Sequence, residues 1–472
     1  MKKGEIIKLE IESVAHGSEG IGRLHGLVVF VPGALPGEKV RARIVQKRRD
    51  YLRARAEEFL QRSPHRTDAP CPHFPACGGC KWQDVDYSYQ LELKREIVAE
   101  TLTRLGGFTD VPVHGTLPSP EIFGYRNKME FSFSAQRWIL LGEPDPLPKP
   151  RDFALGFHVP GRFDKVLDID RCWLQSDRGN GILTAVKRFA LESGLPAWNA
   201  RTHTGFWRFL VLREGKRTAQ LMVNAVTSEH RPDLIARLAR TLLERDPDIT
   251  SIVNNTTTSV GGTAFGEREF PVHGPLTIQE RLGDFVFEIS ANSFFQTNTL
   301  QAERLYARAL EFARLSGSET VYDLYSGTGT ISLFLSRKAR LVVGIEVIPS
   351  AVADARRNAE RNGVENCEFV AGDIAKEMKQ ADEIARRYGR PDVVVVDPPR
   401  AGVHPRGIRG ILRLAPKRIV YVSCNPSTFA RDARLLADSG YRLLQVQPVD
   451  MFPHTAHIEL IAELERSSAA LP

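Results

Sequence analysis

The sequence predicts a multidomain α/β protein. It has a small N-terminal β-barrel of the OB type, a central α+β domain and a C-terminal doubly wound sheet of Rossmann-like layout. Three observations carry that expectation. The chain has 472 residues, room for two to four domains at about 150 residues each. Its first 60 residues alternate apolar and polar side chains in short runs between glycines, and its last 170 alternate strand-like with helix-like segments. Hydrophobic residues make up 42% and charged residues 26%, a globular balance that excludes a disordered or fibrous chain. Met1-Lys2-Lys3-Gly4-Glu5 opens no apolar signal region, and no apolar run approaches the roughly 18–20 residues that span a bilayer. The expectation is a soluble, cytoplasmic monomer without membrane contact.

Residues 1–62 form the expected barrel. Ile6 to Val14, Gly20 to Arg23, Leu27 to Val31 and Glu38 to Gln46 read as strands, with Gly17, Gly26, Gly33 and Gly37 in the turns. Lys plus Arg is 64 against 57 for Asp plus Glu, a net of +7. The excess is local. Between Lys39 and Arg55 stand eight basic residues against Asp50 alone, the footprint of a polyanion partner.

Residues 63–290 form the expected central domain. Its first 20 residues are rich in Pro, Cys, Gly and His and lack periodicity. Residues 87–105 read as an amphipathic helix, expected to pack on the catalytic domain. A strand-rich stretch follows, with a Pro-rich loop (Pro144 to Pro150) and a helix from Pro232 to Glu244. Tyr125-Arg126-Asn127-Lys128 mixes an aromatic with two cations, as a platform for RNA phosphate and base would. Trp82, Trp173 and Trp207 are expected in the core.

Residues 291–472 form the expected catalytic domain. Val321 to Tyr325, Leu341 to Glu346, a segment near Phe369, Val393 to Asp397 and Ile419 to Ser423 read as parallel strands separated by helices. The first strand runs into Ser326-Gly327-Thr328-Gly329-Thr330, whose glycines let the backbone turn close to a ligand. Glu346 ends the next strand, 19 residues after Gly327, where an acid can accept from both ribose hydroxyls. Asp373 follows the third strand and could receive an adenine amino group. A dinucleotide fingerprint wants a third glycine, and Ile331-Ser332 stands there instead. With Asp323 before the turn to suit a cationic methionine, S-adenosylmethionine is favoured over NAD.

Two further strand ends carry chemistry: Asp397-Pro398-Pro399-Arg400 and Ser423-Cys424-Asn425-Pro426. A last strand carries His457-Ile458-Glu459. Asp-Pro-Pro alone would serve a nitrogen methyltransferase. A neighbouring cysteine changes the reading, because C5 of uracil is a poor nucleophile until a thiolate adds to C6. Cys424 fits that nucleophile, and Glu459 fits the base that removes the C5 proton. Arg400 or the helix after Pro426 is expected to lower the thiol pKa.

Six cysteines are too few for a disulfide framework in this setting. Cys71, Cys77 and Cys80 cluster in the Pro/Gly loop and read as metal ligands. Zinc and an iron–sulfur cluster both accept thiolates, and the spacing does not separate them. Cys172 stands 92 residues beyond Cys80, and His73 is a rival ligand that would favour zinc. Cys367 reads as a small buried residue.

This ordered set resembles the RNA uracil-C5 methyltransferases that act on ribosomal and transfer RNA. The likeness runs through a TRAM-type barrel, Cys-x₅-Cys-x₂-Cys, Phe294-Phe295-Gln296-Thr297-Asn298, the Gly-rich turn, Asp-Pro-Pro-Arg, Ser-Cys-Asn-Pro and His-x-Glu. The resemblance implies cofactor contacts from Gln296, Tyr325, Thr330, Glu346, Asp373 and Asp397. It implies Cys424 as nucleophile and Glu459 as proton acceptor. It implies a [4Fe–4S] cluster on Cys71, Cys77, Cys80 and Cys172, structural or RNA-positioning in role. The expected substrate is a uridine of 23S ribosomal RNA, with transfer RNA as the alternative. That uridine must leave its stack to reach Cys424.

Overall fold

The computed structural model describes residues 2–467 apart from 145 and 378–380. The N-terminal strands β1 (Ile6–Ala15), β2 (Glu19–Leu24), β3 (Leu27–Pro32), β4 (Lys39–Lys47) and β5 (Tyr51–Gln61) close into a barrel in the order β1-β2-β3-β5-β4. Alternation sends Ile7, Leu9 and Ile11 inward, against Val29, Val31, Val40 and Leu52. The fifth strand lay beyond the sequence reading, because its interior is made by small Ala54 and Ala56 between charged neighbours. The basic run is partly neutralised by the same pairing. Arg41 meets Glu58 at 2.8 Å, Arg43 meets Glu57 at 2.6 Å and Arg53 meets Glu19 at 2.8 Å. Arg48 and Arg49 sit exposed in the β4–β5 turn.

Helix α1 (Tyr87–Thr101) starts at Asp86, whose carboxylate accepts from the Ser88 and Tyr89 backbone N–H groups. It runs into one wider turn, Leu102–Gly106, and stops at Gly107 with φ +69°. Its Leu93, Ile97 and Val98 bury against Phe429 and Ala430 of the catalytic region. Lys94 and Asp450, both fully buried, pair at 2.5 Å across the same seam. The chain then bridges Val113 to Val446 and Leu117 to Val449. Residues 87–117 therefore share the catalytic core.

The central sheet is built from β6 (Lys128–Ser134), β7 (Ala154–His158), β8 (Val166–Asp168), β9 (Trp207–Glu214), β10 (Leu221–Thr227), β11 (Ser251–Thr256) and β12 (Arg268–His273), in the order β12-β11-β10-β9-β6-β7-β8. Helices α2 (Asp177–Glu192) and α3 (Pro232–Arg245) pack into its core. Helix α2 was not legible: Gly179, Asn180 and Gly181 in its first turns are weak helix formers, offset by the Ser176 cap. A hairpin, β13 (Thr277–Leu282) and β14 (Phe285–Ser290), leans on the catalytic region through Ile278, Phe287 and Ile289.

The C-terminal region alternates as expected: α4 (Thr299–Ala313), β15 (Thr320–Leu324), α5 (Thr330–Ser336), β16 (Leu341–Glu346), α6 (Pro349–Arg361), β17 (Cys367–Ala371), α7 (Ile374–Glu377), α8 (Ala381–Tyr388), β18 (Val393–Val396), α9 (Pro405–Leu414), β19 (Arg418–Ser423), α10 (Pro426–Asp438), β20 (Tyr441–Val449) and β21 (Glu459–Arg466). The strand order is β17-β16-β15-β18-β19-β21-β20. The first five are parallel and helix-covered, which is why Val393–Val396 is apolar at every position. Strands β21 and β20 add an antiparallel edge. Among the described residues, no helix is long and apolar enough to cross a membrane.

Candidate active site

The strand order, more than the sequence order, assembles the site. Read along the carboxyl edge from β17 through β16, β15, β18 and β19 to β21, the next residues or ends are Asp373, Glu346, Tyr325, Asp397, Cys424 and Glu459. The connection reverses between β16 and β18, around β15, the switch point at which open α/β sheets bind ligands. Glu346 lies three strands from Cys424. At 4.7–4.9 Å per strand that is about 14 Å, the reach of a nucleoside with a short tail.

Glu346 is held at the Gly-rich turn. Its carboxylate accepts from the Gly327 N–H at 3.0 Å and from the Ile348 N–H at 2.9 Å. Tyr325 sits at φ +67° and donates its N–H to the Ile345 carbonyl at 3.0 Å, so the chain swings out at the strand end. Asp373 accepts from the Ala375 N–H at 2.8 Å. Thr330 opens α5, and its hydroxyl donates to the Tyr306 hydroxyl at 3.1 Å, so Tyr306 occupies part of the reach expected of Thr330. Asp323 is fully buried, accepts from Ser332 at 2.5 Å, and is pushed up to about 7 by burial.

Gln296 is tied to the Tyr125–Lys128 segment, which corrects the expectation of an RNA platform there. Asn127 donates to the Gln296 carbonyl and to the Thr299 hydroxyl, both at 2.8 Å. Tyr125 is buried with its hydroxyl on the Pro453 carbonyl at 3.2 Å, and Lys128 pairs with Glu130. The segment is an internal strap between the central sheet and the motif loop. Phe295 packs inward and Phe294 stays exposed.

Register brings the last pair together. Ser423 on β19 stands opposite Leu460 on β21 in an antiparallel ladder. The ladder ends there; Cys424 is the next residue beyond it on one strand and Glu459 the next on the other, close enough for the Glu459 charge to raise the thiol. Asn425 caps α10 and donates to the Arg400 carbonyl at 3.1 Å, locking the two strand-end motifs to each other. Burial, then the Asp397 charge, push Glu459 well above the usual carboxylate range, with Arg400 opposing. Burial holds Asp397 up at about 6. Burial, then Glu459 and Asp397, push the Cys424 thiol up to about 11. The expected lowering by Arg400 is real in sign but loses to those three effects.

Cys424 opens into a cavity of about 330 Å³. Its wall comes from three regions: His16 and Gly17 of the barrel, Gly78, Gly79 and Lys81 of the cysteine loop, and Arg400 and His457 of the catalytic region. Lys81 and Trp82 both donate their N–H groups to the His454 carbonyl, at 2.8 and 3.1 Å, which seats the cysteine loop on the approach to His457. His16 and Lys81 were not singled out by the sequence reading, and His457 entered it only as part of the His-x-Glu motif, since only folding places them beside Cys424.

Cys71, Cys77, Cys80 and Cys172 line a second cavity, of about 180 Å³. Burial raises all four thiols, Cys80 to about 12 and Cys172 to about 11, and like charges on neighbouring cysteines add to this at Cys77, Cys80 and Cys172. His73 Nε2, Arg126 Nε and Trp173 Nε1 are buried there with no hydrogen-bond partner. Among the described residues, no group of three His, Cys, Asp or Glu side chains closes on a point at single-ion distances.

Comparison with known proteins agrees with this construction. Residues 258–467 match the family described as tRNA (Uracil-5-)-methyltransferase, and residues 1–56 match the TRAM domain. An uncharacterized RNA methyltransferase of Chlorobaculum tepidum is 46% identical over 99% of this chain and 97% of its own length. One of Bacteroides thetaiotaomicron is 42% identical over 96% of this chain and all of its own. Among solved structures, the Pyrococcus abyssi tRNA (uracil-54, C5)-methyltransferase in complex with S-adenosyl-L-homocysteine superposes with a TM-score of 0.74. It shares 34% identity and covers 97% of this chain and 99% of its own. The chain belongs to the RNA uracil-C5 methyltransferase family and is an S-adenosylmethionine-dependent enzyme of that family with an N-terminal TRAM domain.

Proposed function

We propose that the enzyme methylates C5 of a uridine in 23S ribosomal RNA through a covalent bond between Cys424 and C6. The proximity of Cys424 and Glu459 just beyond the end of the β19–β21 ladder carries this reading. S-adenosylmethionine supplies an electrophilic methyl group on a sulfonium, with Gln296, Tyr325, Thr330, Glu346, Asp373 and Asp397 as the residues that would line its site. A nitrogen methyltransferase would need neither the thiol nor the second carboxyl.

The charges favour a strict order. The thiol at about 11 and a Glu459 carboxyl raised well above its usual range cannot both be ionised cheaply. Ionisation of Cys424 is easiest while Glu459 holds its proton. Once sulfur is bound to C6 it is neutral, so Glu459 then ionises more readily. It is then a base poised to take the C5 proton, and the thiolate leaves as the C5–C6 double bond re-forms.

Cys71, Cys77, Cys80 and Cys172 would hold a [4Fe–4S] cluster. One tetrahedral zinc wants ligand atoms about 2.0–2.3 Å from one point, and the thiols instead surround a cavity of about 180 Å³. The unpartnered N–H groups of Arg126 and Trp173 suit an anionic cluster with sulfur acceptors. Its role would be to join residues 71–80 to residue 172 and so fix the wall of the Cys424 cavity.

Transfer RNA is the second reading. The Pyrococcus structure favours it, since that tRNA enzyme shares this architecture over 97% of the chain. One experiment separates the readings: 23S ribosomal RNA and transfer RNA transcripts carrying 5-fluorouridine are incubated with enzyme and cofactor, then digested for mass spectrometry. Fluorine cannot leave as a proton, so a Cys424–uridine adduct should persist on the true substrate. No adduct on either RNA, with cofactor bound, would exclude the covalent route.

A further inference from the structure

The His457 ring sits in the wall of the Cys424 cavity, and its hydrogen bonding fixes its tautomer. Arg400 Nη2 lies 3.2 Å from His457 Nδ1. A guanidinium can only donate, so Nδ1 must carry its lone pair, and the ring proton resides on Nε2. Among the described residues, Nε2 has no partner within the protein. The ring stands edge-on to Phe452, with centroids 5.8 Å apart, which leaves one edge for Arg400 and one for the cavity. The residue is exposed at the cavity wall; partial desolvation of the ring, then the neighbouring cations Arg400, Arg126 and Lys94, together with His16, push its pKa down to about 4 and favour the neutral imidazole. The cavity thus presents one thiol and one neutral N–H donor from adjacent strand ends.

We propose that His457 is a second catalytic group: its Nε2–H donates to the uracil carbonyl oxygen O4 that gains charge when Cys424 adds to C6. This rests on the covalent reading above. In that step the S–C6 bond forms, the C5–C6 π pair moves towards C4, and the C4–O4 π pair becomes the enolate charge on O4. The proton stays on Nε2 and only shares with O4. When C5 takes the methyl group, the enolate pair forms the new C5–C bond and C4=O4 is restored, so His457 ends as it began. A neutral donor suits this task better than an imidazolium, which would hand its proton to the enolate and quench C5. Arg400 has two roles at once: it holds the ring by Nδ1 and supplies the positive charge that keeps the ring neutral.

The test uses full-length enzyme, S-adenosylmethionine and the 5-fluorouridine transcript that wild type captures, with the single-turnover rate of trapped adduct formation as the readout. His457→Asn keeps an acceptor where Nδ1 sits and loses the distal donor. His457→Gln keeps a donor near the Nε2 position. His457→Phe keeps only the ring. Removing one such donor costs about 10²–10³-fold elsewhere, so Asn and Phe should slow adduct formation about 100-fold and Gln less than about 10-fold. S-adenosylhomocysteine affinity, measured by calorimetry, should be unchanged in all three. A wild-type rate in His457→Phe overturns the proposal. So does rescue by Asn and not by Gln, which would leave His457 a positioning residue for Arg400. If wild type itself forms no adduct, the covalent reading fails instead, and the two failures stay distinct.

Discussion

The protein keeps half-buried thiols in two settings, and the contrast shows what each is prepared to receive. In the second cavity four thiols are raised by burial, three of them also by neighbouring cysteines, with unpartnered N–H groups around them. Without a ligand such thiols keep their protons; a bound cationic group would let them ionise together. In the Cys424 cavity one thiol is raised by burial and by two carboxylates, Glu459 before Asp397. There, proton uptake by the carboxyls gives the relief. The same desolvation therefore serves metal capture in one place and ordered proton movement in the other. The two cavities touch through the cysteine loop, since Gly78 and Gly79 line both.

The largest expected effect separates proton handling from bond formation at Cys424. Glu459→Gln should lower multiple turnover by about 10²–10⁴-fold, the usual worth of a positioned base. It should also accumulate a Cys424–RNA adduct on ordinary uridine RNA, because the bond to C6 can form and not resolve. Denaturing gels with labelled RNA would show the shifted band. Normal turnover with no such band would remove Glu459 from the reaction and leave the two settings alike.

A smaller effect tests the other cavity. Cys172→Ala should empty the iron from the purified protein, read by colorimetric iron assay, and destabilise it by on the order of 3 kcal/mol in thermal unfolding. The reactivity of Cys424 towards iodoacetamide should rise, because the cysteine loop walls its cavity and burial is the largest cause of its raised pKa. Zinc in place of iron in the wild type would overturn the cluster and keep the cavity as a metal site.

Much of this was legible because strand-end chemistry is local in sequence. Glu346, Asp373, Asp397 and Cys424 each follow a short apolar strand, and parallel strands all present that end to one edge. The proximity of Cys424 and Glu459 was less legible, since it depends on a register formed across 35 residues and around β20. Tyr125–Lys128 misled for the opposite reason: an aromatic beside two cations looks solvated until Asn127 and Tyr125 find their buried partners. The barrel's basic run also looked freer than it is, because its acids sit on β5 and β2, which only the closed barrel brings against it.

The smallest effect is also the sharpest test of the contrast. Alkylation reads the thiolate, so its rate follows the ionised fraction of Cys424. At pH 8 a thiol at about 11 is ionised in roughly one molecule in a thousand, and each unit of pKa changes that fraction about tenfold. Glu459 and Asp397 raise the thiol by like charge, and Arg400 lowers it. Glu459→Gln should therefore speed alkylation by about 3- to 10-fold, Asp397→Asn should speed it less, and Arg400→Ala should slow it. The sign carries a further condition. A carboxyl repels the thiolate only where it is itself ionised, and Glu459 ionises well above its usual range. The gain from Glu459→Gln should thus be small at pH 7 and grow towards pH 10, whereas Asp397, held up at about 6, should show most of its smaller gain already at pH 7–8. A gain from Glu459→Gln that is flat with pH would mean that Glu459 stays charged throughout. No gain from either variant would mean that desolvation alone holds the thiol up, and that no proton transfer to a neighbouring carboxyl prepares Cys424.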